Sequence, residues 1–132
     1  MKEAVLIFGG IYGTLAIILG AFGAHWLKSK YAPEQLKSFE TGVKYQMYHA
    51  IILIICGITF PFLEMMQVLM AYCFIIGTFF FSFSIYGLTW TSSQNRKLKL
   101  LGPVTPFGGL LLVIGWILLT INLAEIALYL TP

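Results

Sequence analysis

Residues 4–24 read AVLIFGGIYGTLAIILGAFGA, a run without a single charged side chain. An α-helix rises ~1.5 Å per residue, so a run of this length covers the ~30 Å of hydrocarbon in a lipid bilayer. Three further uncharged runs occupy residues 45–63, 65–95 and 100–124. A soluble domain of this size would place charges on the outer faces of such helices. The sequence therefore predicts an all-α, polytopic membrane protein built as a bundle of four transmembrane helices.

The composition supports one membrane domain over residues 1–132. Charged residues make up 10% of the chain, against roughly 25% in an average soluble domain. The longest connection, residues 26–44, is too short to form a core of its own. The spans are predicted at about residues 4–27, 45–63, 66–92 and 100–124.

The positions of the basic residues predict the orientation. Seven of the eight Lys and Arg residues fall in two connections, Lys28, Lys30, Lys37 and Lys44 in the first and Arg96, Lys97 and Lys99 in the third. Short loops rich in Lys and Arg stay in the cytoplasm, so both termini are expected outside. The net charge of +3 comes from these loops and not from a basic face, so it indicates no nucleic-acid partner.

The first connection carries a helical pattern of its own. Pro33 suits the first turn of a helix, and Glu34 in that turn complements the helix dipole. Apolar residues then follow at helical spacing, at Leu36, Phe39, Val43 and Met47. The pattern predicts a short cytoplasmic amphipathic helix on the membrane surface, with a bend at Gly42 into the second span. Glu40 and Lys44 stand four residues apart, the spacing of an exposed ion pair.

Small residues in the first span predict how the helices pack. They recur three to four residues apart and form one stripe, at Gly9, Gly13, Ala16, Gly20 and Gly23. Such a stripe lets helix backbones approach closely in a membrane. It serves either the bundle itself or contact with a second copy of the protein, and the internal use is favoured because this spacing alone is a weak oligomer signal.

Polar residues near the predicted cytoplasmic face form a candidate site. Counting inward from Lys28 and Lys44 places His25 and His49 roughly 5–8 Å inside the same boundary. The candidate cluster comprises His25, Glu40, Tyr45, Gln46, His49 and Thr105. Because ionisable groups at membrane depth are costly, such a cluster suggests proton or ligand binding.

A structural interpretation of the same residues is favoured. A histidine near the interface also serves as a neutral hydrogen-bonding group that fastens two helices, and tyrosines suit an interfacial belt. Two histidines and one glutamate fall short of a metal site, and the sequence lacks the CxxC and HExxH spacings. No metal, cofactor or catalytic residue is therefore predicted.

Three segments carry a resemblance to a known family. They are residues 20–25 (GAFGAH), 39–50 (FETGVKYQMYHA) and 101–109 (LGPVTPFGG). In order and spacing they resemble the signature segments of a small bacterial inner-membrane family catalogued as domain of unknown function number four-two-three. The position of Lys44 is often Arg in that family. The resemblance implies a cytoplasmic-membrane protein with four spans, and it implies no activity, substrate or cofactor.

Three classes of function follow. The first is a non-catalytic structural, accessory or assembly component, with membrane lipids and either a larger membrane complex or a homo-oligomer as partners. The second is a small solute or proton transporter or channel, which the absence of an acidic residue deep within a span disfavours. The third is a lipid-binding protein or membrane enzyme that uses His25 and His49.

Overall fold

The computed structural model of the chain describes residues 1–94 and 101–130, apart from the side chain of residue 130. The regular elements within them are α1 (Lys2–His25), a 3₁₀ turn (Leu27–Ser29), α2 (Pro33–Thr59), α3 (Met65–Thr78), a π-helical turn (Phe79–Phe83), α4 (Ser84–Ser93) and α5 (Val104–Leu130). The predicted basic-loop residues Arg96, Lys97 and Lys99 lie outside the described residues.

The predicted four-helix architecture is confirmed. Within the described part of the chain, four continuous helical stretches are long and apolar enough to cross a membrane. The third consists of α3, the π-helical turn and α4 in sequence. A helix satisfies all its interior backbone groups within one segment, which is why uncharged runs of this length fold this way in lipid.

The second span differs from its prediction in one respect. The helix starts at Pro33 as expected, but it continues unbroken to Thr59, so the separate surface helix is in fact the first part of α2. The helix runs through Gly42 without interruption. Gly42 makes room for the ring of Tyr86, because a Cβ at Gly42 would lie 2.7 Å from Tyr86 Cε1. The apolar face of this segment thus packs against another helix instead of lying on a membrane surface.

The four spans are not equivalent in their burial. α2 lies between α1 and the third span, and α5 packs on the other side of the third span. Among the described residues α1 and α5 do not meet. Within the most apolar 18-residue segment of each span, 39% is buried in the second and third spans. The corresponding figure is 22% in the first and fourth spans, which lie on the outside. The outer helices therefore expose most of their surface to the surroundings of the bundle.

The glycine stripe of α1 lies against α2. At each of its glycines an added Cβ would have an α2 side chain within 4 Å, in the pairs Gly9–Ile54, Gly13–Ala50, Gly20–Val43 and Gly23–Phe39. These pairs also fix the register of the two antiparallel helices. The structure therefore uses the stripe within the bundle.

The π-helical turn meets the start of α5 at very short range. A Cβ at Gly108 would overlap the backbone nitrogen of Phe81 and lie 2.9 Å from the carbonyl carbon of Phe80. A π-helical turn widens the helix locally and shifts its backbone, and here the shifted backbone occupies the space that Gly108 leaves free. Only a residue without a side chain fits between these two helices.

We expect Gly108→Ala to lower the free energy of unfolding by about 1–3 kcal/mol, because a rigid backbone cannot move aside as a side chain can. Gly10→Ala is the matched control, since nothing lies within 4 Å of a Cβ there. It should leave stability unchanged or raise it by about 0.5–1 kcal/mol through its higher helix propensity. Denaturant unfolding in one detergent measures both variants, and equal effects would contradict the proposed close contact.

Candidate functional site

The structure separates the residues of the predicted polar cluster. His25 ends α1 and Glu40 lies on α2, and both side chains are exposed. Among the described residues neither has a hydrogen bond or an ion pair, so the predicted Glu40–Lys44 pair does not form. Thr105, at the start of α5, lies 2.7 Å from the hydroxyl of Ser84.

The two histidines lie at different depths. Because Gly23 packs on Phe39 and Gly13 on Ala50, His25 is level with about residue 38 of α2. His49 lies about 11 residues further along that helix, which is roughly 16 Å. The counting from Lys44 misplaced it, because α2 begins at Pro33 and Lys44 is already three turns inside the helix.

Gln46 is the centre of a buried network that ties three spans together. Its Nε2 donates to the carbonyl of Tyr12 in α1 at 2.9 Å, and its Oε1 accepts from the hydroxyl of Tyr86 in α4 at 2.9 Å. The hydroxyl of Tyr12 in turn donates to the carbonyl of Ile75 in α3 at 2.9 Å. Gln46 is fully buried, and both ends of its amide are thus satisfied. The network holds these spans together by hydrogen bonds within an otherwise apolar bundle.

His49 links α2 to α5 and has a defined protonation state. Its Nδ1 lies 2.7 Å from the carbonyl of Tyr45, and the indole nitrogen of Trp116 donates to its Nε2 at 3.3 Å. A carbonyl only accepts and an indole N–H only donates. Both bonds form together only when the imidazole is neutral and carries its proton on Nδ1. His49 is therefore a neutral hydrogen-bonding group in this structure.

The surroundings of His49 leave no room for a reacting molecule. The side chain is 4% exposed. Aromatic rings surround it, with ring centroids 5.7 Å away for Phe74, 6.2 Å for Tyr45 and 6.4 Å for Trp116. Both ring nitrogens already have partners, so proton transfer through His49 requires one of these bonds to break.

A groove lies at one end of the bundle. This end, here called the basic end, is the one where the chain passes from α1 to α2 and where Lys28 and Lys30 lie. The groove has a volume of about 730 Å³ and lies between α2, α4 and the start of α5. Eight of the eleven lining residues have polar side chains, although most of the surface that they expose to the groove is apolar. The lining residues are Glu34, Gln35, Ser38, Thr41, Ile85, Leu88, Thr89, Thr91, Ser92, Gly102 and Thr105.

Sequence reasoning found Thr105 but missed the α2 side of this groove. Glu34, Ser38 and Thr41 lie four and three residues apart and so share one face of α2. That spacing is visible in the sequence. The apolar residues of the same segment give a stronger helical signal, which draws attention to the opposite face of the helix. Tyr12, Tyr86 and Trp116, the partners of Gln46 and His49, carry no local signal and depend on how the helices pack.

Among the described residues, no group of three or more His, Cys, Asp and Glu side chains lies close enough together to hold a metal ion. Cys56 is buried and Cys73 is partly buried, and both are free thiols. The expectation that the protein works without a metal or cofactor stays a prediction.

The Gln46 network leads to a stability prediction. Tyr86→Phe removes the hydroxyl that donates to Gln46, and it should lower the free energy of unfolding by about 0.5–1.5 kcal/mol. Tyr48→Phe removes a hydroxyl from a side chain that is 55% exposed and should have no effect. Unfolding of both variants in the same detergent measures the difference, and equal stability of the two would argue against a buried bond.

The tautomer of His49 leads to a spectroscopic prediction. In ¹⁵N spectra of the ring, one nitrogen should carry a proton and the other should be bare, with the proton on Nδ1. Trp116→Phe removes the donor to Nε2 and should weaken this preference without reversing it, because the carbonyl of Tyr45 still accepts from Nδ1. The exposed His25 provides an internal comparison. A proton found on Nε2 would contradict the bond to Tyr45.

Comparison with known proteins places the chain in a family. A family described as "Protein of unknown function (DUF423)" matches residues 19–109. A UPF0382 membrane protein of Staphylococcus aureus (strain bovine RF122 / ET3-1) is 37% identical over 88% of this chain and 91% of its own length. The UPF0382 membrane protein YwdK of Bacillus subtilis (strain 168) is 35% identical over 90% of this chain and 94% of its own. No solved structure matches the chain. The chain thus belongs to the DUF423 family, a family of membrane proteins whose function is unknown.

Proposed function

We propose that the protein is a non-catalytic accessory or assembly component of the bacterial cytoplasmic membrane. The observation that carries this proposal is that the polar side chains of Gln46 and His49 already have hydrogen-bond partners within the protein. Each bond of these two side chains joins one helix to another or to its own backbone. Side chains engaged in this way hold a bundle in one shape, which suits a component that acts through its surface.

The arrangement of the histidines speaks against an enzyme. An acid–base site needs its groups within hydrogen-bonding reach of the same substrate atoms. His25 and Glu40 are exposed at the basic end, while His49 is buried several turns further along α2. A reaction at this set would need three separated side chains to converge.

Transport coupled to protons finds little support either. Such transport commonly relies on an acidic residue facing the interior at membrane depth. Glu64 directly precedes α3, Glu34 and Glu40 lie in the first turns of α2, and Glu125 lies near the end of α5. The buried polar groups midway along the spans are uncharged amides, hydroxyls and the neutral His49.

The proposed orientation follows from the basic end. Its lysines are expected in the cytoplasm, which leaves the start of α1 and the end of α5 on the outer side. Membrane lipids cover the exposed outer faces of α1 and α5. A partner subunit or a second copy of the protein would contact the bundle along these same faces.

A second candidate function is binding of a lipid or other small molecule. The groove at the basic end favours it, because a volume of about 730 Å³ falls within the usual range of ligand sites. This candidate is compatible with an accessory role, since an accessory subunit often holds a ligand for its complex.

The accessory role predicts a defined complex. A chromosomally tagged protein, extracted at its natural level in mild detergent, should co-purify with one set of partners at near-equal amounts. A photoreactive residue at Ile17, which is 66% exposed on α1, or at Ile117, which is 55% exposed on α5, should crosslink to one of those partners. A buried position such as Leu53 is the control and should give no crosslink to another protein.

Two results would contradict the accessory role. One is a protein that stays alone at natural expression and crosslinks to nothing but lipid. The other is a purified protein that drives solute or proton flux in liposomes, with the flux lost in His49→Ala. The second result would make transport the favoured function of the protein.

A further inference from the structure

We propose that the groove at the basic end binds a ligand through a primary ammonium group. The inference rests on the ligand-binding candidate above and names the chemistry of its ligand, and it is independent of whether the protein joins a larger complex. It depends on which polar atoms in the groove still have a proton to donate.

Four hydroxyls of the groove donate their protons to their own helices. The acceptors are backbone carbonyls, in the pairs Ser38–Glu34 at 3.0 Å, Thr41–Lys37 at 3.0 Å, Thr89–Ile85 at 2.7 Å and Thr91–Gly87 at 2.9 Å. A hydroxyl has one proton and two lone pairs. Each of these four oxygens can therefore only accept a further hydrogen bond.

The hydroxyl proton of Thr105 is also engaged in a hydrogen bond within the protein. The hydroxyl of Ser84 donates to the carbonyl of Phe81 at 3.0 Å. Its single proton is therefore engaged, so in the 2.7 Å contact between the two hydroxyls Thr105 must be the donor. Its oxygen also presents lone pairs alone to a ligand.

Glu34 adds a charged acceptor to these oxygens. Glu34 lines the groove and is exposed, and its carboxylate has no ion pair among the described residues. Gln35 and Ser92 are bonded to each other at 3.2 Å and keep one free proton each. The described lining includes no Lys or Arg. Among the described side chains of the lining, free acceptors thus outnumber free donors, and the only side-chain charge is negative.

A ligand that complements this lining must donate several hydrogen bonds and carry positive charge. A primary ammonium group has three donors and no acceptor. A quaternary ammonium group carries the same charge but no N–H, and a phosphate or carboxylate offers only further acceptors. The side chains of Ile85 and Leu88 give the groove an apolar wall as well. The fitting ligand is therefore an amine with an apolar part, either the headgroup of an aminophospholipid or a free alkylamine.

The depth of the groove suits both sources. It lies where the predicted polar interface of the membrane meets the helix ends, because its residues come from the first turns of α2, the last turns of α4 and the start of α5. An aminophospholipid would enter from the bilayer, and a free amine would enter from the aqueous side.

The test compares headgroups on the purified full-length protein by native mass spectrometry. Phosphatidylethanolamine should be retained about fivefold more than phosphatidylcholine with the same acyl chains, because only the first has N–H donors. Butylammonium, followed by solution NMR at groove residues, is the arm for a free amine. Binding of either probe with preference over its quaternary counterpart, choline-headed lipid or tetramethylammonium, supports the proposal and identifies the source.

Two glutamates on one helix provide matched variants. Glu34→Gln removes the charged acceptor and should weaken amine binding by roughly threefold, a modest factor because the site is exposed to solvent. Glu40→Gln removes another exposed carboxylate, one that does not line the groove, and it should change nothing. Ser38→Leu fills the groove without changing charge and should also reduce binding.

Several results would overturn the proposal. They are equal retention of ethanolamine and choline headgroups together with no response to butylammonium, equal effects of Glu34→Gln and Glu40→Gln, or preference for the anionic phosphatidylglycerol. Unchanged thermal unfolding of each variant shows that a loss of binding is not a loss of fold. A failed amine test with an intact co-purified complex would leave the accessory role standing.

Discussion

The structure depends on the requirement that polar groups removed from water find partners inside the protein. Lipid offers none, so backbone groups are bonded within helices, and most buried polar side chains bond to a neighbour. Three buried atoms of the described residues are exceptions without a hydrogen-bond partner, namely Thr78 Oγ1, Ser82 Oγ and Asn122 Oδ1. Gln46 meets this requirement by bonding to α1 and α4 at once, and His49 meets it by bonding to its own helix and to Trp116. Both side chains serve the same purpose. They specify which helices are adjacent and at what height, a choice that apolar contacts alone leave weakly defined in a membrane.

Close packing at glycines also fixes the positions of the helices. Glycines on α1 leave space for α2, Gly42 leaves space for the ring of Tyr86, and Gly108 leaves space for the π-helical turn. The Tyr86 ring that Gly42 accommodates is also the ring whose hydroxyl reaches Gln46. Packing and hydrogen bonding are thus linked at one point, because a larger residue at position 42 would displace the donor on which Gln46 relies.

The sequence predicts the number and kind of helices well, because charge exclusion from lipid is a local property of each segment. It also locates the start of α2, since Pro33 and Glu34 carry the signal of a helix N-terminus. What it could not supply is the relative height of the helices. In the sequence Lys44 indicates a membrane boundary, yet its exposed side chain lies three turns inside α2, where a long chain can extend its amine toward water. The partners of His49 were hidden for the same reason, because Trp116 reaches it only through the packing of α5.

The groove and the buried network differ in how their polar side chains are hydrogen-bonded. Inside the bundle, the side-chain nitrogen and oxygen of Gln46 each bond to another helix. At the basic end, small hydroxyl side chains bond back to their own helices and leave the space between helices unfilled. A Ser or Thr that satisfies its proton locally needs no neighbour, so a row of them can line an opening without destabilising the helices that carry it. The same local bonding fixes the polarity of the opening, because every proton turned toward a helix carbonyl leaves a lone pair turned away from it. The chemistry of the groove is therefore a direct consequence of how its helices are stabilised.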